Sequence, residues 1–271
     1  MAGVELFARG FDAVLAAERA RQNRVIAATG VVILAVAVSA GFVGLFDTAR
    51  LAEGVPALFS LAGEMLPPTF TEPRKWAGAM VDTLAMSIAG TAIAVLLALP
   101  LGFLAAANTT PHPAVLYVTR GILNLTRTVP ELVLGIVFVA AVGFGPLPGV
   151  LALGLHSAGM VGKFFAESIE HASNAPIEAA RATGASRFQV IWHGVLPQVL
   201  PQFADVSIYR WEYNFRASTV MGMVGAGGIG FELMGSLRIM QYQEVSAILL
   251  LILAMVSVVD ALGQRIRRGM K

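Results

Sequence analysis

Asp205, Tyr209, Glu212 and Arg216 follow one another at intervals of 4, 3 and 4 residues, which sets them on one stripe of an α-helix. Ionisable groups inside an otherwise apolar segment face a polar path or a partner charge rather than lipid. Glu212 and Arg216 stand in the favourable i,i+4 order and are expected to pair, whereas Arg210 points well away from the stripe. Counted from Val195, Asp205 lies about 15 Å along the helix and Arg216 about 31 Å. That spacing puts Asp205 at mid-membrane and both arginines toward the outer mouth. The stripe is then a candidate lining for a polar path, with Arg210 or Arg216 the group that would meet an anion near its outer end. Two carboxylates to one arginine, however, make no obvious anion site. Neutralisation between neighbouring helices is the plainer alternative, and for the i,i+4 pair Lys163 and Glu167 it is the favoured one.

Other patterns that could carry chemistry lack their context. Gly225-Ala226-Gly227-Gly228-Ile229-Gly230 satisfies G-x-G-x-x-G, but a dinucleotide site needs a preceding strand and an acid about 20 residues on. Here an apolar segment precedes it, and Leu250 occupies the position where the acid would stand. Gly159-Met160-Val161-Gly162-Lys163-Phe164 fails the spacing of a phosphate loop, with Phe164 where a hydroxyl residue belongs. His156, His171 and His193 have no metal-ligand spacing, and the chain has no cysteine, so disulfides and thiolate metal sites are excluded. No catalytic constellation, metal site or nucleotide site is expected.

These residues sit in a chain that is 56% hydrophobic and 13% charged, with mean hydropathy +0.73; soluble domains carry about a quarter charged residues. Six apolar segments, near 24–46, 79–104, 126–144, 148–170, 195–222 and 241–263, are long enough to cross about 30 Å of hydrocarbon. Region 47–77 reads as a polar, partly helical outer connector, and 105–127 as a short polar one. Residues 1–23 mix Glu5, Arg9, Asp12, Glu18, Arg19 and Arg21 with apolar residues and lack a signal-peptide core. They are expected to lie as an amphipathic helix on the inner membrane surface, ahead of an uncleaved first span. With both termini inside, twelve Lys and Arg fall on the inner side against four (Arg50, Arg74, Lys75 and Arg238) outside, and this asymmetry fixes the orientation. It also accounts for the pI near 9.2, so nucleic-acid binding is not indicated. Thr128 and Glu131 have capping-box spacing, with Pro130 in the first turn of the third span.

One inner stretch, Asn174 to Pro197, is soluble in character between two apolar segments. Asn174 is a candidate N-cap, Pro176 suits a first turn, and Glu178-Ala179-Ala180-Arg181-Ala182 favours helix. Gly184 is placed to end that helix at positive φ, and a second short helix is expected from Ser186. The product is an alanine-rich knuckle whose small side chains admit a partner's groove.

Glu178-Ala179-Ala180, Gly184 and Leu196-Pro197 resemble the EAA loop of bacterial ABC-importer permeases, departing from it at Gly194, where isoleucine is usual. Four further runs resemble the phosphonate-type branch: Thr126 to Glu131, Gly143 to Gly149, Arg216 to Gly222, and Gly225 to Gly230. The resemblance covers roughly residues 78–266. It implies an all-α membrane protein of the type I ABC-importer fold, with six transmembrane helices and both termini cytoplasmic, in the bacterial cytoplasmic membrane. Residues 1–77 would carry the interfacial helix, first span and outer connector, and 78–266 the core with the coupling loop 174–193. Glu178, Ala179, Ala180, Gly184 and Ala185 would couple to an ATPase. Gly225, Gly227, Gly228 and Gly230 would serve either a gate or close packing.

The same resemblance implies a second permease copy or a close paralogue, two cytoplasmic ATPase subunits using ATP and Mg, an extracytoplasmic substrate-binding protein, and lipid around the spans. The solute would be a phosphonate, phosphite or phosphate; methionine or an osmolyte is the alternative within the class. An ion-driven carrier is the alternative outside it, although no repeat relates 24–144 to 148–263 as many such carriers would show. A membrane-embedded enzyme is a further alternative that lacks a constellation to support it.

Overall fold

The computed structural model describes residues 2–270, with side chains from residue 17 onward. The amphipathic character expected of 1–23 therefore falls largely outside the described side chains. All regular structure among the described residues is helical.

The chain forms two compact units that meet at Gly63 and Glu64. In the first, α1 (Ala2–Phe42) carries an apolar stretch, Ala17–Phe42, none of which is buried. A helix with no buried side and no polar face is suited to lipid, where its backbone bonds are satisfied internally. α2 (Thr48–Glu64) follows, and its first turn is capped by Asp47, which accepts from the Arg50 backbone N–H at 3.1 Å.

In the second unit, α3 (Pro73–Ala105) and α6 (Pro146–Glu170) form the central pair. Small residues let their backbones close together, as expected where hydrocarbon solvent gives helices no hydrophobic reason to associate. A Cβ on Gly90 would stand 2.9 Å from the Leu153 Cβ, and one on Gly102 2.8 Å from the Phe165 Cβ. Phe165 in turn stacks on Phe203 of α9 (Leu196–Met221), with ring centroids 3.9 Å apart.

The expected third span is broken. The segment read as a polar connector contains α4 (Pro113–Thr128), which turns by 84° into α5 (Glu131–Val142). Pro130 explains the break: it lacks an N–H and drives the residue before it out of the helical region, and Val129 is extended. The capping box is not formed. Thr128 donates back to the Asn124 carbonyl at 2.7 Å, and Pro130 occupies the N-cap.

The expected fifth span, 195–222, matches α9 to within a residue at each end, and further helix follows it. After α9 come a 3₁₀ turn, Gly222–Val224, and α10 (Ile229–Arg238), inclined 43° to what precedes it. The glycine run lies after the end of α9, between it and α10. α11 (Tyr242–Gly269) completes the unit. Four helices are long and apolar enough to span, and the two bent pairs bring the number to six if each counts once.

Candidate functional site

The loop after α6 folds into α7 (Asn174–Ala182) and α8 (Arg187–Val190). Ser173, not Asn174, holds the N-cap position of α7, without a side-chain capping bond. Gly184 takes φ +80° and ends the turn, and Ser186 opens α8 with a complete capping box to Gln189. The knuckle is anchored by two apolar side chains, Ile177 and Val190, which join a core built from α3, α4, α6 and α9. Ala180 and Ala185 pack against that core, whereas Glu178, Ala179 and Gly184 are exposed.

Between α8 and α9 the helix widens into a π turn, Ile191–Val195. Pro197, in the first turn of α9, has no N–H to offer the preceding turn, and such a gap favours a local change in helical pitch. Gly194 sits in this turn, and a Cβ there would stand 3.3 Å from the Ile177 Cα. Its lack of a side chain is what allows α7 to lie close on the start of α9. Gln198 was not singled out by sequence, yet it ties the two ends of the loop. It accepts from the Ser173 backbone N–H at 2.9 Å and donates to the carbonyls of Ser173 at 3.3 Å and Gly194 at 2.5 Å.

The α9 stripe turns largely toward α11. Arg267 Nη2 lies 2.8 Å from Glu212 Oε1, and Arg267 Nε lies 3.9 Å from Asp205 Oδ1. Arg216 Nη1 donates to both carboxylate oxygens of Asp260, at 2.9 and 3.1 Å. Glu212 and Arg216 therefore do not pair with each other, because each has a nearer partner across the helix interface. Gly263 leaves the notch that the Glu212 carboxylate occupies; a Cβ there would collide with Oε1. α11 is about 42 Å long, more than the hydrocarbon thickness, and Arg267 is in its last turn. Asp205 thus stands level with the last turn of α11. Tyr209 is exposed. Lys163 Nζ and Glu167 Oε1 pair at 3.4 Å.

Arg210 is different. It is 6% exposed and belongs to a buried polar chain between α3, α6 and α9. Its Nε donates to Ser157 Oγ at 2.8 Å, and Ser157 donates to Asn214 Oδ1 at 2.9 Å. Asn214 Nδ2 donates to Thr91 Oγ1 at 2.9 Å, which donates to the Ser87 carbonyl at 2.6 Å. The guanidinium lies 4.2 Å over the Tyr213 ring, and Tyr213 donates its hydroxyl to Glu131 Oε1 at 2.9 Å. Glu131 Oε2 also faces His156 Nε2 at 3.4 Å, while His156 Nδ1 lies 3.0 Å from the Val129 carbonyl. Glu131 is thus a network member rather than a cap. His156-Ser157 inside an apolar segment was the available signal, since buried polar groups need partners.

The glycine run crosses the turn between α5 and α6. Gly145 donates to the Gly225 carbonyl at 3.1 Å, and Gly225, Gly227 and Gly228 take φ of +102°, +70° and +71°. A Cβ at Gly228 would stand 2.5 Å from Thr83 Oγ1, and one at Gly230 would collide with the Thr219 carbonyl.

Comparison with known proteins agrees with this architecture. The family model of the binding-protein-dependent transport system inner membrane component matches residues 98–271. The phosphite transport system permease protein of Stutzerimonas stutzeri is 67% identical over 242 residues, which cover 89% of this chain and 86% of that one. The phosphate-import permease protein of Mycolicibacterium smegmatis is 43% identical over 231 residues, 85% of this chain but 43% of that longer protein. Among solved structures, a chain of the inward-facing MetNI methionine ABC transporter superposes with TM-score 0.65 at 23% identity, over 74% of this chain and 100% of that one. That likeness shows the fold, a type I importer membrane domain. The chain belongs to the family of binding-protein-dependent transport system inner membrane components, multi-pass proteins of the bacterial cytoplasmic membrane.

Proposed function

We propose that this chain is the membrane-spanning subunit of an ATP-driven importer for a phosphorus oxyanion: phosphite, phosphate or a phosphonate. The observation that carries the solute class is the 67% identity, spread over 89% of the chain, to a phosphite permease. A methionine or osmolyte permease is the weaker reading, since the methionine system is matched at 23% identity in structure. Two copies of the chain would enclose the path, each docking one ATPase subunit, with an extracytoplasmic binding protein delivering the anion. ATP and Mg would be bound by the ATPase.

The coupling element in this reading is the knuckle 174–193. Exposed Glu178 and Ala179 offer the docking edge, and buried Ile177 and Val190 carry its movement into the helix core. Gly184 lets the chain reverse there, and Ala180 and Ala185 seat the docking edge on the core. Closure of the ATPases would displace α7, and Gln198 and the close approach at Gly194 would pass that displacement to α9. The glycine run is assigned to packing, because Gly225, Gly228 and Gly230 face atoms at distances that leave no room for a Cβ and Gly227 holds a positive φ that side chains rarely adopt.

Native mass spectrometry of the chain, expressed with its ATPase and solubilised in mild detergent, tests the assembly. Two permease copies with two ATPase subunits are expected. A permease that purifies alone or as a dimer without ATPase would reject the importer reading in favour of an ion-driven carrier.

A further inference from the structure

Every charged group on the α9 stripe has an opposite charge beside it: Asp205 and Glu212 face Arg267, and Arg216 faces Asp260. Arg210 does not. Among the described residues it joins no ion pair within 4.0 Å, and its Nη2 is buried with no hydrogen-bond partner. Its one hydrogen bond is from Nε to a neutral hydroxyl, and its other close neighbour is an aromatic face. The nearest carboxylate in the chain of contacts, Glu131, is taken up by Tyr213 and His156.

A buried cation without a counter-charge is strongly unfavourable unless something neutralises it. Intramembrane charges of this kind mark ion and substrate pathways. The surrounding bonds also fix how the group points. Ser157 commits its proton to Asn214 and its lone pair to Arg210, and Asn214 commits its amide to Thr91. The guanidinium is thereby held by its Nε edge, and the forked Nη donors are left over. That fork matches two oxygens of a tetrahedral oxyanion.

We propose that Arg210 is the intramembrane contact for the transported oxyanion, its Nη donors binding two oxygens of the phosphorus centre during passage. Glu131, held one residue away through Tyr213, opposes a second negative charge and keeps the site weak. A weak site suits a path, where an ion must leave as readily as it enters. The inference rests on the oxyanion-import reading and names the residue that meets the solute.

The test is reconstitution of the full complex (permease, ATPase and binding protein) in proteoliposomes, with phosphite uptake and ATP hydrolysis measured together. Losing a charge-assisted contact worth about 1.5–3 kcal/mol should lower the uptake rate at saturating binding protein by about tenfold or more for Arg210→Gln. Stimulated hydrolysis should stay within about twofold, because ATPase docking is elsewhere. Arg210→Lys, which keeps charge but loses the fork, should be intermediate. Wild-type uptake in Arg210→Gln overturns the proposal while leaving the importer reading intact. If that variant does not assemble, Arg210→Lys decides: uptake equal to wild type overturns the proposal, and an intermediate rate with hydrolysis retained supports it. Loss of the second permease copy from Arg210→Lys, seen by native mass spectrometry, also overturns it, since Arg210 would then serve the subunit contact. A wild-type complex that accumulates no phosphorus oxyanion removes both readings together.

Discussion

Replacing Arg267 with Gln should be among the most damaging single changes in this chain. Glu212 is 5% exposed and has Arg267 Nη2 at 2.8 Å. At an effective dielectric of about 20, a pair at that separation attracts by about 6 kcal/mol, most of which offsets the removal of both groups from water. What the variant suffers is the carboxylate left behind, a loss of about 3–5 kcal/mol for a buried pair broken on one side. Asp205, at 3.9 Å and about half exposed, adds under about 1 kcal/mol. Neutralising both members, Glu212→Gln with Arg267→Gln, leaves no orphaned charge and should recover at least about 2 kcal/mol of the loss. Reversible unfolding by SDS in mixed micelles would measure Arg267→Gln, Glu212→Gln and the double variant against the parent. If Arg267→Gln stays within about 1 kcal/mol of the parent, or the double variant loses the full sum of the singles, the buried-pair reasoning is wrong.

Gly102→Ala should destabilise by about 1–3 kcal/mol through overpacking against Phe165. Gly121→Ala, on an α4 face with nothing near it, should be neutral or stabilising by up to about 1 kcal/mol in the same unfolding assay. Gly228→Ala should lose about 1–2 kcal/mol from its positive φ alone, and more from displacing Thr83, whose hydroxyl accepts the Ile229 N–H at 2.9 Å. Glu178→Lys, and Gly184 replaced by a bulky residue, should leave membrane insertion intact while separating ATP hydrolysis from uptake. Unchanged uptake by both variants would remove the coupling assignment.

The sequence made the positions of the apolar helices legible because lipid imposes a length and a composition that no soluble element shares. Gly184 and Ser186 were legible too, since the φ > 0 requirement and the capping box are local. What failed was partnership across distance. Thr128 and Glu131 had the spacing of a cap, but Pro130 broke the helix at that point, and Tyr213 and His156 claimed the carboxylate. Glu212 and Arg216 had the spacing of a pair, but partners on α11 stood closer, and nothing in the local pattern of α9 names Arg267 or Asp260. Gln198 is similar: one amide in a long helix carries no signal until Ser173 and Gly194 are seen at its two faces. The bend at the glycine run was hidden for a related reason. Gly227 and Gly228 do form a loop, but the return of helix at Ile229, packed against α3 and α11, has no signal in the local pattern.

The most direct measurement is ATP-dependent accumulation of labelled phosphite in proteoliposomes that carry this chain with its ATPase, with binding protein on the side from which solute is taken up. Accumulation against the gradient that needs ATP, needs the binding protein and persists when ion gradients are collapsed is the expected result. No accumulation of any phosphorus oxyanion, or accumulation that follows an ion gradient and ignores ATP, would contradict it.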